Sequence, residues 1–295
     1  MNGLINKSMD NKEILQDFIS GEKFIDIVDF KYNPQIFEDY NQYPNTFNID
    51  DVNNSNKDIV TVYIHIPWCR YFFQNIDFPK INKKIILVTH NSDNEINADL
   101  FNSKPENIIH WYSQNINYQH PDLESIPIGL ENKRWFPWKV GKMMDILNKP
   151  KSIRNLLYIN HNTNNNIVER HKPYELFGNK PWTTAVYGRN GQDFDSYIEN
   201  VYNHKFIVSP IGNGIDVHRT AEAWYMDTIP LVIKNINNSF YSDLPILYVN
   251  DWEEISENFL NQKYEEIQEN KRNGVYNMEK LTISFWKKLI RNSRC

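Results

Sequence analysis

The chain has 295 residues, 40% hydrophobic and 23% charged, which fits one large α/β unit or two lobes and excludes a disordered chain. With 32 basic residues against 37 acidic, the net charge is −5, so no broad electrostatic face for nucleic acid or an anionic membrane is expected. The start, MNGLINKSMDNKEILQDF, lacks a basic segment followed by an apolar stretch, and the chain has no long apolar run; neither a secretory signal nor a membrane span is expected.

Two cysteines, Cys69 and Cys295, are too few for a disulfide framework, and a cytoplasmic location is the simplest expectation. Asparagine is abundant throughout, but hydrophobic periodicity persists around it, which reads as compositional bias and not as a low-complexity tract.

The first 55 or so residues are polar and punctuated by Asn-Pro, Tyr-Pro and Asn-Asn steps, and are expected to wrap the surface. Ile59 to Ile66 reads as the first strand, Lys84 to Thr89 as the second and Ile108 to Tyr112 as the third, with a helix at Glu95 to Phe101. Strand, helix, strand at this spacing predicts a parallel sheet with crossover helices. Ser125 to Ile128 adds a short strand. A break with a short amphipathic turn falls near 136–152, and the pattern then restarts. Strands are expected at Leu156 to Ile159, Thr183 to Tyr187, Lys205 to Val208, Ile229 to Ile233 and Ile246 to Val249. Helices are expected at Ile167 to Phe177, Phe194 to Val201 and Val217 to Met226, and an amphipathic helix at Met278 to Arg291.

The most informative stretch is Phe206 to Val232, FIVSPIGNGIDVHRTAEAWYMDTIPLV. A strand ends at Ser209-Pro210, Gly212 and Gly214 follow, and a helix opens near Asp216 with Arg219 and Glu222 three residues apart. Ligands of open α/β sheets bind beyond the carboxyl ends of strands, and helix N-termini attract phosphates. Arginine offers forked donors to a diphosphate, and a glutamate one turn on can accept two ribose hydroxyls. The segment therefore reads as a nucleotide or phosphate site. The plain alternative is a turn in which Arg219 pairs with Glu222.

SPIGNGIDVHRTAEAWYMDTIPLV closely resembles the donor-binding motif of exostosin-like glycosyltransferases, as do, more loosely, VTHNSD, HWYSQN, HPDLESIPIGLEN and LPILYVNDW. The likeness runs from about Ile59 to the end of the chain. Ala221 and Asp227 depart from it, standing where the family usually has a bulkier residue and a glycine. The resemblance implies an α/β GT-B fold: two Rossmann-like lobes, a cleft between them and a closing carboxyl-terminal helix. Residues 1–145 would form the acceptor-side lobe, 146–277 the nucleotide-sugar lobe, and 278–295 a helix packing back across both. It also implies inverting transfer from a nucleotide sugar, such as UDP-xylose or UDP-GlcNAc, to a glycan hydroxyl, with no cofactor and no required divalent metal.

By that resemblance Arg219 holds the donor diphosphate and Glu222 the ribose, with the amides of Gly212, Asn213 and Gly214 stabilising the leaving group. Asn213, Asp216 and His218 are candidates to touch the sugar or β-phosphate, and Asp216 is equally a candidate N-cap. Arg170 or Arg189 could supply a second cation. A base from the opposite lobe must take the acceptor proton; Asp93 is the first candidate and His90 the second, although the same Asn/Ser/Asp turn could simply cap a helix. His110 reads as a core histidine. Trp111, Trp135, Trp138 and Trp252, with Asn115 and His120, are candidate acceptor contacts, because aromatic faces stack on sugar C–H faces; Trp224 and Trp286 read as packing residues. Two alternatives stay open: a metal-dependent GT-A transferase using Asp193 and Asp195, and a non-catalytic glycan- or nucleotide-binding scaffold on the same fold.

Overall fold

The computed structural model describes residues 10–34, 43–134, 136–187 and 193–292; Trp135 and Arg189 lie outside them. Two five-stranded sheets, each wholly parallel, form the centres of two α/β lobes. In the first part of the chain α1 (Asn11–Gln16), α2 (Gly21–Asp26), β1 (Phe30–Tyr32), α3 (Ile49–Asn53), β2 (Ile59–His65), α4 (Cys69–Asn75), β3 (Lys84–His90), α5 (Ala98–Asn102), β4 (Ile108–Ser113) and β5 (Leu123–Ser125) follow in order. The second part contributes α6 (Lys139–Leu147), β6 (Asn155–Ile159), α7 (Ile167–Phe177), β7 (Thr183–Ala185), α8 (Phe194–Tyr202), β8 (His204–Val208), α9 (His218–Tyr225), β9 (Ile229–Ile233), α10 (Ile236–Ser239), β10 (Leu247–Val249), α11 (Glu257–Arg272) and α12 (Ile283–Asn292). None of the described helices is long and apolar enough to cross a membrane.

The strand order of the first sheet is β1-β2-β3-β4-β5. Parallel strands added always in one direction by right-handed crossovers place their connecting helices on a single face. Val60, Val62, Ile64, Ile85 and Leu87 meet that face, packed with Val52, Phe72 and Phe101 from the connections. The opposite set, Tyr63, Ile86 and Val88, would be left bare. It is covered by the two ends of the chain: Ile19, Phe24 and Ile25 from the start, Trp286 and Ile290 from α12. The amino-terminal segment is thus structural, against the expectation of a surface wrap. It supplies β1 to the sheet edge, and Ile14 and Leu15 of α1 pack with Met143, Tyr158 and Trp224 on the second lobe. No strand-like or helix-like run stands out in this segment, because its apolar residues are interleaved with Asp, Asn and Lys.

The second sheet has the order β10-β9-β8-β6-β7. From β6 the chain moves outward to β7, then returns to the other side of β6 as β8. The order therefore reverses between β6 and β8, and the loops after these two strands diverge to open a crevice at their carboxyl ends. That crevice faces the first lobe.

Element boundaries differ from the sequence expectation where capping decides them. Asn97 caps α5, so the helix expected from Glu95 begins at Ala98. The short strand pairs as Leu123–Ser125 instead of Ser125 to Ile128. The segment read as a break contains the nine-residue helix α6. Thr282 separates a turn of tight helix at Met278–Leu281 from α12, dividing the single helix expected there.

Candidate active site

Two adjoining cavities open between the lobes, of about 590 Å³ on the side of the second sheet and about 480 Å³ on the side of the first, sizes typical of small-molecule sites. Asp93, Ile128, Glu131, Phe136 and His218 line both.

The larger cavity is built on the β6/β8 crevice. After β8, Pro210 offers no N–H and the chain turns through Gly212, whose amide donates to the Gly214 carbonyl at 3.0 Å. A Cβ at Gly212 would stand 2.5 Å from Arg170 Nη2, and one at Gly214 would stand 2.9 Å from Asn115 Nδ2 of the first lobe. A side chain at either position would force Arg170 or Asn115 to shift. Arg170, on α7, is buried at 6% exposure. It holds this loop by donating from Nε to the Ile211 carbonyl at 2.7 Å and from Nη1 to the Asn162 carbonyl at 3.0 Å. Burial, and then the nearby Arg219 charge, push its guanidinium down to about 10. Arg219 donates from Nη2 to the Asn160 carbonyl at 2.6 Å, while its Nε is buried without a partner among the described residues.

The arginines that find carboxylates among the described residues are Arg134 and Arg154. Arg170 and Arg219 find backbone carbonyls instead, so among the described residues two cations face the crevice with no carboxylate paired to either. This excludes the Arg219–Glu222 ion pair. Glu222 stands one turn along α9, buried at 6% exposure, where it accepts the Tyr197 hydroxyl at 2.7 Å. Asn213 and Lys139 also line the cavity, and Phe194, Phe136 and Trp138 wall its outer end, Trp138 at 46% exposure. The Lys139 ammonium lies 4.4 Å over the Phe136 ring and 4.7 Å over Phe194 and pairs with Glu131.

Asp216 does not cap α9 in the expected way, since Val217 occupies the N-cap. Asp216 is buried at 8% exposure and lines the larger cavity. Its carboxylate accepts the amide of Val217 at 2.9 Å, the amide of Ile128 at 2.9 Å and the Tyr241 hydroxyl at 3.1 Å. It is a joint between the lobes. Its own amide donates to Asn115 Oδ1 at 2.7 Å, so Asn115, expected at the acceptor, serves the same joint from the other side.

His218 is the first residue of α9. Its Nδ1–H donates to the Gly129 carbonyl of the first lobe at 2.8 Å, which leaves the lone pair on Nε2. Burial is the main force lowering its pKa, with Lys139 in the same direction and Glu222 and Asp93 opposing.

The first-lobe residues divide. Asp93 is exposed in the loop after β3 and reaches both cavities, its Oδ1 lying 3.3 Å from where a Gly214 Cβ would be. His90 is excluded as a base. Its Nδ1 accepts the Asn91 amide at 2.8 Å and its Nε2–H donates to the Pro127 carbonyl at 3.2 Å, so no lone pair remains, and burial pushes the ring down to about 4.

Three expected acceptor contacts lie elsewhere. Trp111 is 0% exposed in the first core, donating its indole N–H to Thr89 Oγ1 at 2.8 Å. Trp252 is in the core of the second lobe. His120 packs on Phe101 and Tyr118 and lines neither cavity. Trp224 and Trp286 are core residues, as expected. Asp193 caps α8 through Ser196 at 2.8 Å, and Asp195 pairs with Lys142 at 2.7 Å; neither lines the cavities.

His161, Tyr197 and Lys139 were missed in the sequence. His161 donates from Nε2 to the Arg170 carbonyl at 2.7 Å, and burial beside Arg219 pushes it down to about 3. Its position just after the β6 strand was the available signal.

No family model matches the sequence, and no curated protein matches it. Among solved structures, an alpha1,3-fucosyltransferase is similar in fold at 13% identity and a TM-score of 0.37, over 82% of this chain and 80% of that one. A GtfA/B complex is similar at 12% identity and a TM-score of 0.36, over 78% of this chain and 56% of that one. These are likenesses of gross arrangement; the functional reading rests on the cleft.

Proposed function

We propose that this protein is a glycosyltransferase that binds a nucleotide sugar in the larger cavity and a glycan acceptor in the smaller one. The observation that carries this is the pair of cations, Arg170 and Arg219, brought without carboxylate partners to the reversal point of a parallel sheet. A diphosphate supplies the missing charge, and forked guanidinium donors match its oxygens. Glu222, one helical turn from Arg219, suits the ribose hydroxyls, and the aromatic wall of Phe194 and Trp138 suits a base. The first cavity is lined by amides and hydroxyls, including Asn91, Ser92 and Asn132, a surface for sugar hydroxyls.

In this reading the Arg219 guanidinium and the start of α9 stabilise the diphosphate as it departs, the dominant electrostatic task in such a transfer. Transfer is inverting and independent of metal, the donor is a UDP-sugar, and the motif around Arg219 is read as the exostosin-like one that the sequence resembles.

The test is calorimetric titration of UDP into the wild type and Arg219→Ala, together with UDP release from a panel of UDP-sugars. Arg219→Ala should lower UDP affinity on the order of a hundredfold, as loss of charge-assisted hydrogen bonds does, with little change in melting temperature. Equal UDP affinity in the two proteins would refute the reading.

A further inference from the structure

We propose that His218, carried by the donor-binding helix itself, is the general base that takes the proton from the acceptor. The inference rests on the nucleotide-sugar reading above and adds the residue that turns a bound donor and acceptor into products.

Position is the first argument. Neighbouring residues on a helix point about 100° apart, so His218 faces the first lobe while Arg219 faces the β6 loop. His218 lines both cavities, and an acceptor in one can meet the sugar of a donor in the other only where they join. The titratable groups shared by the two cavities are Asp93, Glu131 and His218. Glu131 is held in an ion pair with Lys139.

The second argument is the tautomer. A carbonyl can only accept, so the 2.8 Å contact to Gly129 fixes the proton on Nδ1. Nε2 then carries a lone pair and makes no hydrogen bond among the described residues. His90 lacks this property because both of its nitrogens are engaged.

The third is charge. His90 and Asp93 from the first lobe, Lys139 from α6 and Glu222 from α9 act on the ring. Burial keeps the resting imidazole neutral, and the carboxylates of Glu222 and Asp93 favour the imidazolium once formed. Asp93 thus assists His218 instead of acting alone.

In the step, the acceptor O–H gives its proton to Nε2 while the acceptor oxygen bonds to the anomeric carbon. The bond from that carbon to the β-phosphate oxygen breaks, and its electron pair leaves with the nucleoside diphosphate. The imidazolium returns its proton to solvent after product release.

His218→Gln should keep UDP affinity within about threefold while lowering kcat for UDP release from UDP-sugars at least a hundredfold, in line with loss of a general base. The wild-type fall in kcat/KM at low pH should be absent from it, and imidazole should restore turnover to His218→Gly. Turnover within threefold of wild type, or an unchanged acidic limb, would overturn the assignment while leaving the donor reading intact. Loss of UDP binding along with turnover would overturn it too, showing that His218 only shapes the helix. Failure of the wild type to bind UDP would remove the donor reading instead. A measurement on the wild type guards against misfolded variants: ¹⁵N spectra of the imidazoles should place the His218 proton on Nδ1, and a proton on Nε2 at neutral pH would sink the proposal.

Discussion

The Asp216 carboxylate accepts the backbone N–H of Ile128 at 2.9 Å, tying the loop that leads into α9 directly to the first lobe. Around this bond Tyr241 contacts both Asp216, at 3.1 Å, and Ser125, at 2.9 Å. Asn237 accepts from the Ile116 amide and from Ser125 Oγ, both at 2.9 Å. A polar seam therefore joins the lobes beneath the cleft.

Burial raises the Asp216 carboxyl from 3.8 to about 6. The folded chain therefore holds this proton more tightly than the unfolded one. Its contribution to stability is fullest below the unfolded value and declines as pH rises through the folded one. The loss is about 3 kcal/mol at most, from 1.36 kcal/mol per unit. Urea unfolding of wild type and Asp216→Asn from pH 4 to 7 should show the wild type losing ground to the variant as pH increases. A pH-independent difference between them would contradict the assignment.

Arg170 and Arg219 should separate by stability. Arg170→Ala strips two carbonyls, those of Ile211 and Asn162, of a charged donor, and should cost about 2–4 kcal/mol, since each such bond to a charged group is worth about 1.5–3 kcal/mol. Differential scanning calorimetry should show a clear fall in Tm for Arg170→Ala and a small one for Arg219→Ala. Equal shifts would mean that the two cations do not divide the work of shaping the loop and binding the ligand.

Tyr197 holds Glu222 by a hydrogen bond of 2.7 Å. Tyr197→Phe should leave Glu222 free to rotate, raising KM for the nucleotide sugar about threefold to tenfold, as loss of about 1 kcal/mol does, with kcat nearly unchanged. Steady-state kinetics decides it. A fall in kcat at constant KM would place Tyr197 in the chemistry instead.

Asp193 and Asp195 are engaged by Ser196 and Lys142. Turnover should persist in excess EDTA. Sharp loss restored by Mn²⁺ would return the metal-dependent alternative to consideration.

The parallel strands were legible because their residues are buried on both sides and so form short runs of Ile, Val and Leu, as in Lys84–His90 and Ile229–Ile233. The glycine turn and the Arg219–Glu222 spacing were also legible, since close backbone approach and helical periodicity leave local marks. Side-chain direction was not. Trp111 and His90 look alike in sequence to cleft residues, and only the sheet register turns one into the core and commits both nitrogens of the other. Nor was the contact of His218 with Gly129 legible, since the two lie 89 positions apart.

The two chain ends share the bare face of the first sheet, and Tyr225 of the second lobe joins them, accepting the Ile19 amide at 2.9 Å and donating to the Leu281 carbonyl at 2.8 Å. Trimming the opening thirty residues as a dispensable leader would therefore unroof hydrophobic surface on both halves at once. A cut intended to isolate either half would need to carry its share of this clasp with it.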